Sequence, residues 1–440
     1  MFKPRCTVAV VCATLSGTAV ADTLYVNCSC GDDAWSGVDP NCVPADGPKK
    51  TIQAAIDAAA NGDEIVVAPG TCNETIDFLG KAITVRSTDP NDPGVVATTI
   101  IDGTGLNDSV VKCISGEGAA TVLDGFTITG GTGTLVEFLP GNFQAFGGGM
   151  FNESNSSPTV ANCIFSGNPV GFRGGGMANF NNSNPTVTNS TFSQNTAFDG
   201  GGMYNVNSNP TVTECTFVGN SLGLNGGVSN NGGGMRNEFS NPFITDCAFI
   251  GNTVTGFPFA AGGAMANFSS NPMVMDTTFT GNTTTSSSTA GEPGGGAMIN
   301  FNSSPTLTNC TFSENSAVTD GGAIANFASS NPTVANCTFS DNLADYGGGM
   351  YNSVSSDPTV TNCSFSGNTA TFNGGGISNY FASHPTVTNC ILWGDSPNEI
   401  VDVAGAVTTV NYSCVQGGWF GAGANNIDAD PMFVDPGSGD

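Results

Sequence analysis

Positive charge is what this sequence has least of. Nine Lys and Arg stand against 36 Asp and Glu in 440 residues, and there is one His. No Lys or Arg follows Arg236. A nucleic-acid binder needs a basic patch to displace counterions, and none can be built here; other polyanions are disfavoured for the same reason. Polysaccharide lyase chemistry needs a cation over the substrate carboxylate and usually an Arg or Lys base. The repeat region offers only Arg173 and Arg236, with no acids clustered around either in sequence. The one histidine, His384, precedes a corner proline and makes a poor catalyst.

Long apolar runs are also scarce. The longest near the start, 8–15, follows Lys3 and Arg5 and precedes Ala19-Val20-Ala21. That pattern reads as a signal peptide over 1–21, and the run is too short to anchor in a bilayer. Secretion or a bacterial cell-surface location follows, with no transmembrane segment in the mature chain; outer-membrane association is compatible with it. Nothing in the sequence sets an oligomeric state. Low charge and 61 glycines suit disorder, but strict columns of Val and Phe argue against it.

Those columns belong to a repeat. Nine copies align on Pro158, Pro185, Pro210, Pro242, Pro272, Pro305, Pro332, Pro358 and Pro385, spaced 25 to 33 residues apart. A period of this size means stacked units. In each, Val160 and its equivalents lie on one short strand, while Cys163 and Phe165 share a face of the next. An odd spacing on one straight strand would oppose them, so a bend at Asn162 is expected. Asn152, Asn179 and Asn205 start a second asparagine column; Asn168, Asn195 and Asn220 start a third, which ends at Asp395. Stacked asparagines can hydrogen-bond from coil to coil. Phe165, Phe192 and Phe217 begin the matching core ladder. These features predict an all-β fold, a right-handed parallel β-helix with three-strand coils. Leucine-rich repeats lack their leucine framework here, and a propeller would want longer blades.

Phe165-Ser166-Gly167-Asn168 and Gly321-Gly322-Ala323-Ile324 resemble the FxxN and GGAI elements of chlamydial polymorphic outer membrane proteins. The resemblance spans 147–395 and covers the repeats but not the membrane barrel; it implies a β-helical surface passenger or adhesin. The stretch from Thr51 through Gly70-Thr71 to Arg86 resembles the N-terminal part of pectin-lyase-like β-helix proteins. Residues 411–418 and 426–435 resemble the closing region of bacterial surface β-helix proteins with variable, choice-of-anchor C-termini, which continue into an anchor.

The remaining segments divide the chain. Residues 22–62 hold Cys28, Cys30 and Cys42, with Cys72 soon after. In a secreted protein these four make two disulfides in one of three connectivities; a metal site is disfavoured because no His is near. A short helix over 51–60, N-capped by Thr51, is placed to cover the first coil. Irregular first coils fill 63–134, with strands expected at 65–67, 83–85, 99–101, 110–114 and 122–129. The nine repeats occupy 135–395, and 396–440 is a cap next to an anchor. Seven repeat cysteines from Cys163 to Cys390 read as stacked free thiols, since strands about 4.8 Å apart hold Cβ atoms beyond disulfide range.

All inserted length falls at one corner of three consecutive coils, 221–234, 253–264 and 283–297. Loops there should emerge side by side, with Phe257 and Phe259 flanking a stiffening Pro258. These two are the candidate binding residues. No catalytic or metal-binding residues are assigned and no cofactor is expected; Asp428 and Asp430 make at most a weak calcium site. The sequence thus reads as a non-catalytic secreted or surface protein that binds an extracellular glycan or a surface protein. The alternative is a polysaccharide lyase or glycoside hydrolase of the pectin-lyase-like type.

Overall fold

A segment such as Thr159–Ala161 holds only three residues of strand. Pro158 cannot donate to a ladder, and Asn162 turns left-handed at φ 52°. The turn lets Val160, Cys163 and Phe165 all be buried, although two of them are an odd number apart. The same corner recurs from Asn189 to Asn389, with φ between 43° and 56°. The computed structural model describes residues 21–223, 230–256, 260–286 and 294–432.

Stacked coil on coil, these units form three parallel sheets. Sheet 1 has 15 strands, running from Thr23–Val26 to Ala422–Ala424 and including Thr159–Ala161. Sheet 2 has 13 and includes Ile164–Ser166; sheet 3 has 12 and includes Met177–Phe180. Register is kept throughout, so Phe165 opposes Phe192 and Phe192 opposes Phe217. The fold is a right-handed parallel β-helix. Along sheet 2 the phenylalanine rings from Phe165 to Phe365 stack 4.4 to 5.0 Å apart and within 7° of parallel. Each fully buried ring contributes about 2–3 kcal/mol.

Two asparagine columns lie inside the rod rather than at a corner. Asn195 shows why they repeat: its Nδ2 donates to Phe165 O of the coil before and to Asn220 Oδ1 of the coil after. Its own Oδ1 accepts from Asn168 N and Nδ2. Every polar atom of the buried amide is therefore used. The other column is a single file, Asn152 Nδ2 to Asn179 Oδ1, then Asn179 to Asn205, and on to Asp402.

Beyond the three strands expected per coil, seven coils carry a short fourth. This sheet 4 runs from Thr196–Ala197 to Thr369–Asn373 and occupies the corner that varies in length. The three long insertions thus begin as strands, Ser221–Leu222, Thr253–Gly256 and Thr283–Ser286. An antiparallel hairpin, Thr134–Leu139 with Asn142–Phe146, enlarges the coil ahead of the first repeat at the same corner. The glycine corner that follows is tight. Gly200 has φ 59°, and a Cβ on Gly201 would sit 2.5 Å from Gly233 O.

The N-terminal end is closed by helix α1, Ile52–Ala58, with Ile52, Ala55 and Ile56 buried. Thr51 accepts from Ala54 N, Glu74 takes the Ile52 and Gln53 amides, and Lys81 Nζ caps the carbonyls of Ile56, Asp57 and Ala59. Both helix ends are thus satisfied. Disulfides join Cys28 to Cys72 and Cys30 to Cys42. A second helix, α2 (Pro93–Thr98), was not expected, and the strand expected over 122–129 breaks at Gly125 into Val122–Asp124 and Thr127–Thr129. No helix among the described residues is long and apolar enough to cross a membrane. The signal segment, 1–21, falls almost wholly outside the described residues.

Candidate binding seam

Alternate residues of a sheet 3 strand point out of the rod. In Met203–Val206, Met203 and Asn205 face the core, and Tyr204 and Val206 face outward. Outward positions should be wet, yet Ala178, Tyr204, Arg236, Ala266, Ile299, Ala325, Tyr351 and Ser378 are all buried. Residues ahead of the corner glycines explain this by packing over the outer face of sheet 3: Phe146 from the hairpin, Ala261 beside Ala266 and Ile299, and Tyr346 from sheet 4. Phe146 meets Phe180 with ring centroids 4.6 Å apart, and Tyr346 meets Tyr380 at 5.7 Å.

A seam therefore runs along the outer face of sheet 3, ahead of the corner glycines, and aromatic rings line it. Phe146, Phe151, Phe172 and Phe180 pack together at its N-terminal end. Phe268, Phe301 and Phe327 occupy the middle, beside Ala266 and Ile299. Tyr346, Tyr351, Phe372 and Tyr380 gather at the far end. Phe301, Phe372 and Phe381 are exposed, at 42%, 54% and 58%. Phe180, Phe268, Phe327 and Tyr380 are half-buried.

Two acids sit at equivalent seam positions, each just before a corner glycine. Asp199 lies between two arginines drawn from the coils on either side: Arg173 Nε is 3.0 Å from its Oδ2, and Arg236 pairs with its Oδ1. Tyr204 accepts from Arg173 and donates to Glu238 at 2.7 Å, and Arg236 closes the ring at 3.3 Å from Glu238. Both guanidinium groups lie over aromatic faces, Arg173 over Phe172 and Arg236 over Phe268. The network joins residues from three coils that sequence spacing does not link. Its one legible signal is that both cations of the repeat region belong to it.

Asp320 is the other acid. It is 5% exposed and pairs in register with Tyr346, as Asp199 does with Asn231. Its carboxylate has no hydrogen bond or ion pair among the described residues. Burial, with Asp345 close by, pushes it up to about 7. Burial also pushes the Tyr351 phenol up, and the nearby Asp320 charge adds to this.

Other acids are placed differently. Asp246 and Asp276 stand exposed at the left-handed corner, and His384 is exposed ahead of sheet 1. Asp395 ends the asparagine ladder by accepting from Asn368 N and Nδ2. It faces Glu399 beside a cavity of about 490 Å³ walled by Trp419 and Phe420; burial and the Glu399 charge push Asp395 well up. Asp428 and Asp430 are exposed and accept from the backbone amides of Gly417 and Met432. The metal-like grouping of Cys28, Cys72 and Glu74 contains a disulfide.

Phe257 and Phe259 lie outside the described residues; their neighbours Gly256 and Ala260 are buried next to sheet 4. The seven repeat cysteines are free and buried, as are Cys113 and Cys414. Burial raises the Cys163 thiol to about 12.

No curated protein matches this chain in sequence. Among solved structures, the catalytic unit of a thermostable GH87 α-1,3-glucanase from Streptomyces thermodiastaticus strain HF3-3 aligns with TM-score 0.41 and 16% identity, over 86% of this chain and 66% of that one. The chain thus spans just under two thirds of that unit. Pectate lyase Pel9A aligns at TM-score 0.37 and 14% identity, over 87% of this chain and 82% of that one. The receptor-binding domain of the siphovirus 9NA tailspike aligns at 0.30 and 12%, over 88% and 76%. The family described as "Right handed beta helix region" matches residues 113–272 and 244–415. With more than half of its length matched and its coils stacked in parallel sheets, this chain belongs to the right-handed beta helix family.

Proposed function

We propose that this protein is a secreted or cell-surface, non-catalytic β-helix that binds an extended extracellular glycan along the seam. The observation that carries the reading is the file of aromatic side chains, half-buried to exposed, on the outer faces of successive coils. Aromatic faces held rigidly at a fixed repeat suit stacking by sugar rings, and rigidity lowers the ordering cost of binding. In this reading 22–62 caps the rod, 63–134 starts it and 135–395 carries the seam. Residues 396–440 close the stack towards an anchor of the kind that the resemblance to surface β-helix proteins implies. Phe257 and Phe259 remain candidate binding residues in this reading. The test is binding of the purified chain to a panel of polysaccharides, with Phe301→Ala and Phe372→Ala expected to weaken attachment at least tenfold together. Unchanged attachment would move the site elsewhere.

One observation favours hydrolysis as a second reading. Glycoside hydrolysis uses two carboxyl groups, one kept protonated near neutral pH, and Asp320 beside Asp345 has that character. Release of reducing ends from the polysaccharide that binds, lost in Asp320→Asn, would establish it.

A further inference from the structure

The repeat supplies its own control for what Asp320 lacks. Asp199 and Asp320 occupy the same place four coils apart, each five residues before an outward position of sheet 3, Tyr204 and Ala325. Around Asp199 the flanking coils place Arg173 and Arg236. Around Asp320 the corresponding residues are Gly294 and Tyr351. No Lys or Arg follows Arg236, so nothing later in the chain can supply the missing cation. His384 stands ahead of the sheet 1 strand Thr386–Thr388, away from the seam.

We propose that Asp320, with Asp345 beside it and Tyr346 and Tyr351 facing it, is a subsite for the protonated amine of an amino sugar in a glycan lying along the seam. The proposal rests on the seam reading above. A buried carboxylate with no partner is costly, and an ammonium from the ligand removes that cost as the two arginines do for Asp199. The tyrosine faces add attraction for a cation. An amino sugar fits better than a lysine side chain because the rings continue along the rod, from Phe301 and Phe327 to Phe372. A chain of sugar rings can use them in succession.

The test titrates the full chain with a chitosan hexamer, which carries free amines, and with the fully N-acetylated hexamer. The chitosan hexamer should bind at least tenfold more tightly. Asp320→Asn should remove most of that preference. Tyr351→Arg should also remove it, by placing a guanidinium where Arg236 stands beside Asp199, and should leave the unfolding temperature no lower. Equal affinity for the two oligomers, or a preference that survives Asp320→Asn in a folded protein, overturns the subsite. In that case binding of both oligomers that is lost in Phe301→Ala keeps the seam, whereas insensitivity to Phe301→Ala removes it. No binding of either hexamer also overturns the subsite. Tighter binding of a lysine-rich peptide with the same Asp320 dependence would replace the glycan with a protein partner.

Discussion

Asp199 and Asp320 are two acids in one structural position, and the molecule treats them oppositely. Asp199 is buried with both carboxylate oxygens held by arginine. Asp320 is equally buried, beside another acid and two tyrosines, with no partner among the described residues. A repeat architecture makes the contrast interpretable, because the corner glycine that follows and the register with the next coil are the same in both. What differs is the company of side chains. One end of the seam is internally complete; the other holds an acid without a partner among the described residues, which is the place of the proposed amine subsite.

The same substitution should therefore act with opposite sign at the two positions. Asp199→Asn removes the buried anion between Arg173 and Arg236, leaving Glu238 as the only acid near both among the described residues, and should destabilise the rod by about 3–5 kcal/mol in urea unfolding. Asp320→Asn should stabilise it. A carboxyl held at about 7 when folded, against 3.8 in the open chain, keeps its proton in the folded state between those values. Folding stability from this group is full below the lower value, declines as pH rises through the window, and levels off above about 7; the total is about 4 kcal/mol at most. The groups facing Asp320 are Asp345, Tyr346 and Tyr351, none of which carries a positive charge. Unfolding curves at pH 5 and 8 should show the decline in the wild type and much less of it in Asp320→Asn. A pH-independent difference would mean that Asp320 has a partner after all.

Both ends of the seam depend on the ladders beneath them. Asn282→Ala would strand Asn252 N, one of the two Nδ2 hydrogens of Asn252, and Phe249 O in the core. An unfolding experiment should read a loss of about 2–3 kcal/mol, with no change in the sign of either aspartate effect. If Asn282→Ala is neutral, water has replaced the amide and the ladder is weaker than its geometry indicates.

The smallest effect on stability is expected at the two phenylalanines picked out from the sequence. Phe257→Ala with Phe259→Ala should leave the melting temperature within a degree or two while weakening glycan attachment. Unfolding of the rod by the double change would assign the two rings to the core.

How much of this was legible follows from what repeats. The Asn162 corner and the Phe165 ladder recur in each coil, so their geometry could be argued from spacing alone. The interior place of Asn168 and Asn152 could not, because an asparagine reads as a corner residue until its partners are seen. Helix α2 carried a local signal, with Asp92 as N-cap and Pro93 in the first turn, in a stretch too short to show a period. Sheet 4 was hidden because its strands differ in length and sequence from coil to coil. Arg173, Asp199, Arg236 and Glu238 are brought together only by stacking. Singular residues placed by a regular scaffold are where a periodic reading falls silent, and in this rod they line the seam.

The central claim is that the seam binds a glycan and does not cut it. The most direct measurement incubates the full chain with a panel of polysaccharides and records retention and new reducing ends in the same samples, for the wild type and for Phe301→Ala with Phe372→Ala. The account expects retention on at least one polysaccharide, lost in the double variant, with reducing ends at the level of the blank. Reducing ends that accumulate with time, or retention that ignores the seam substitutions, would contradict it.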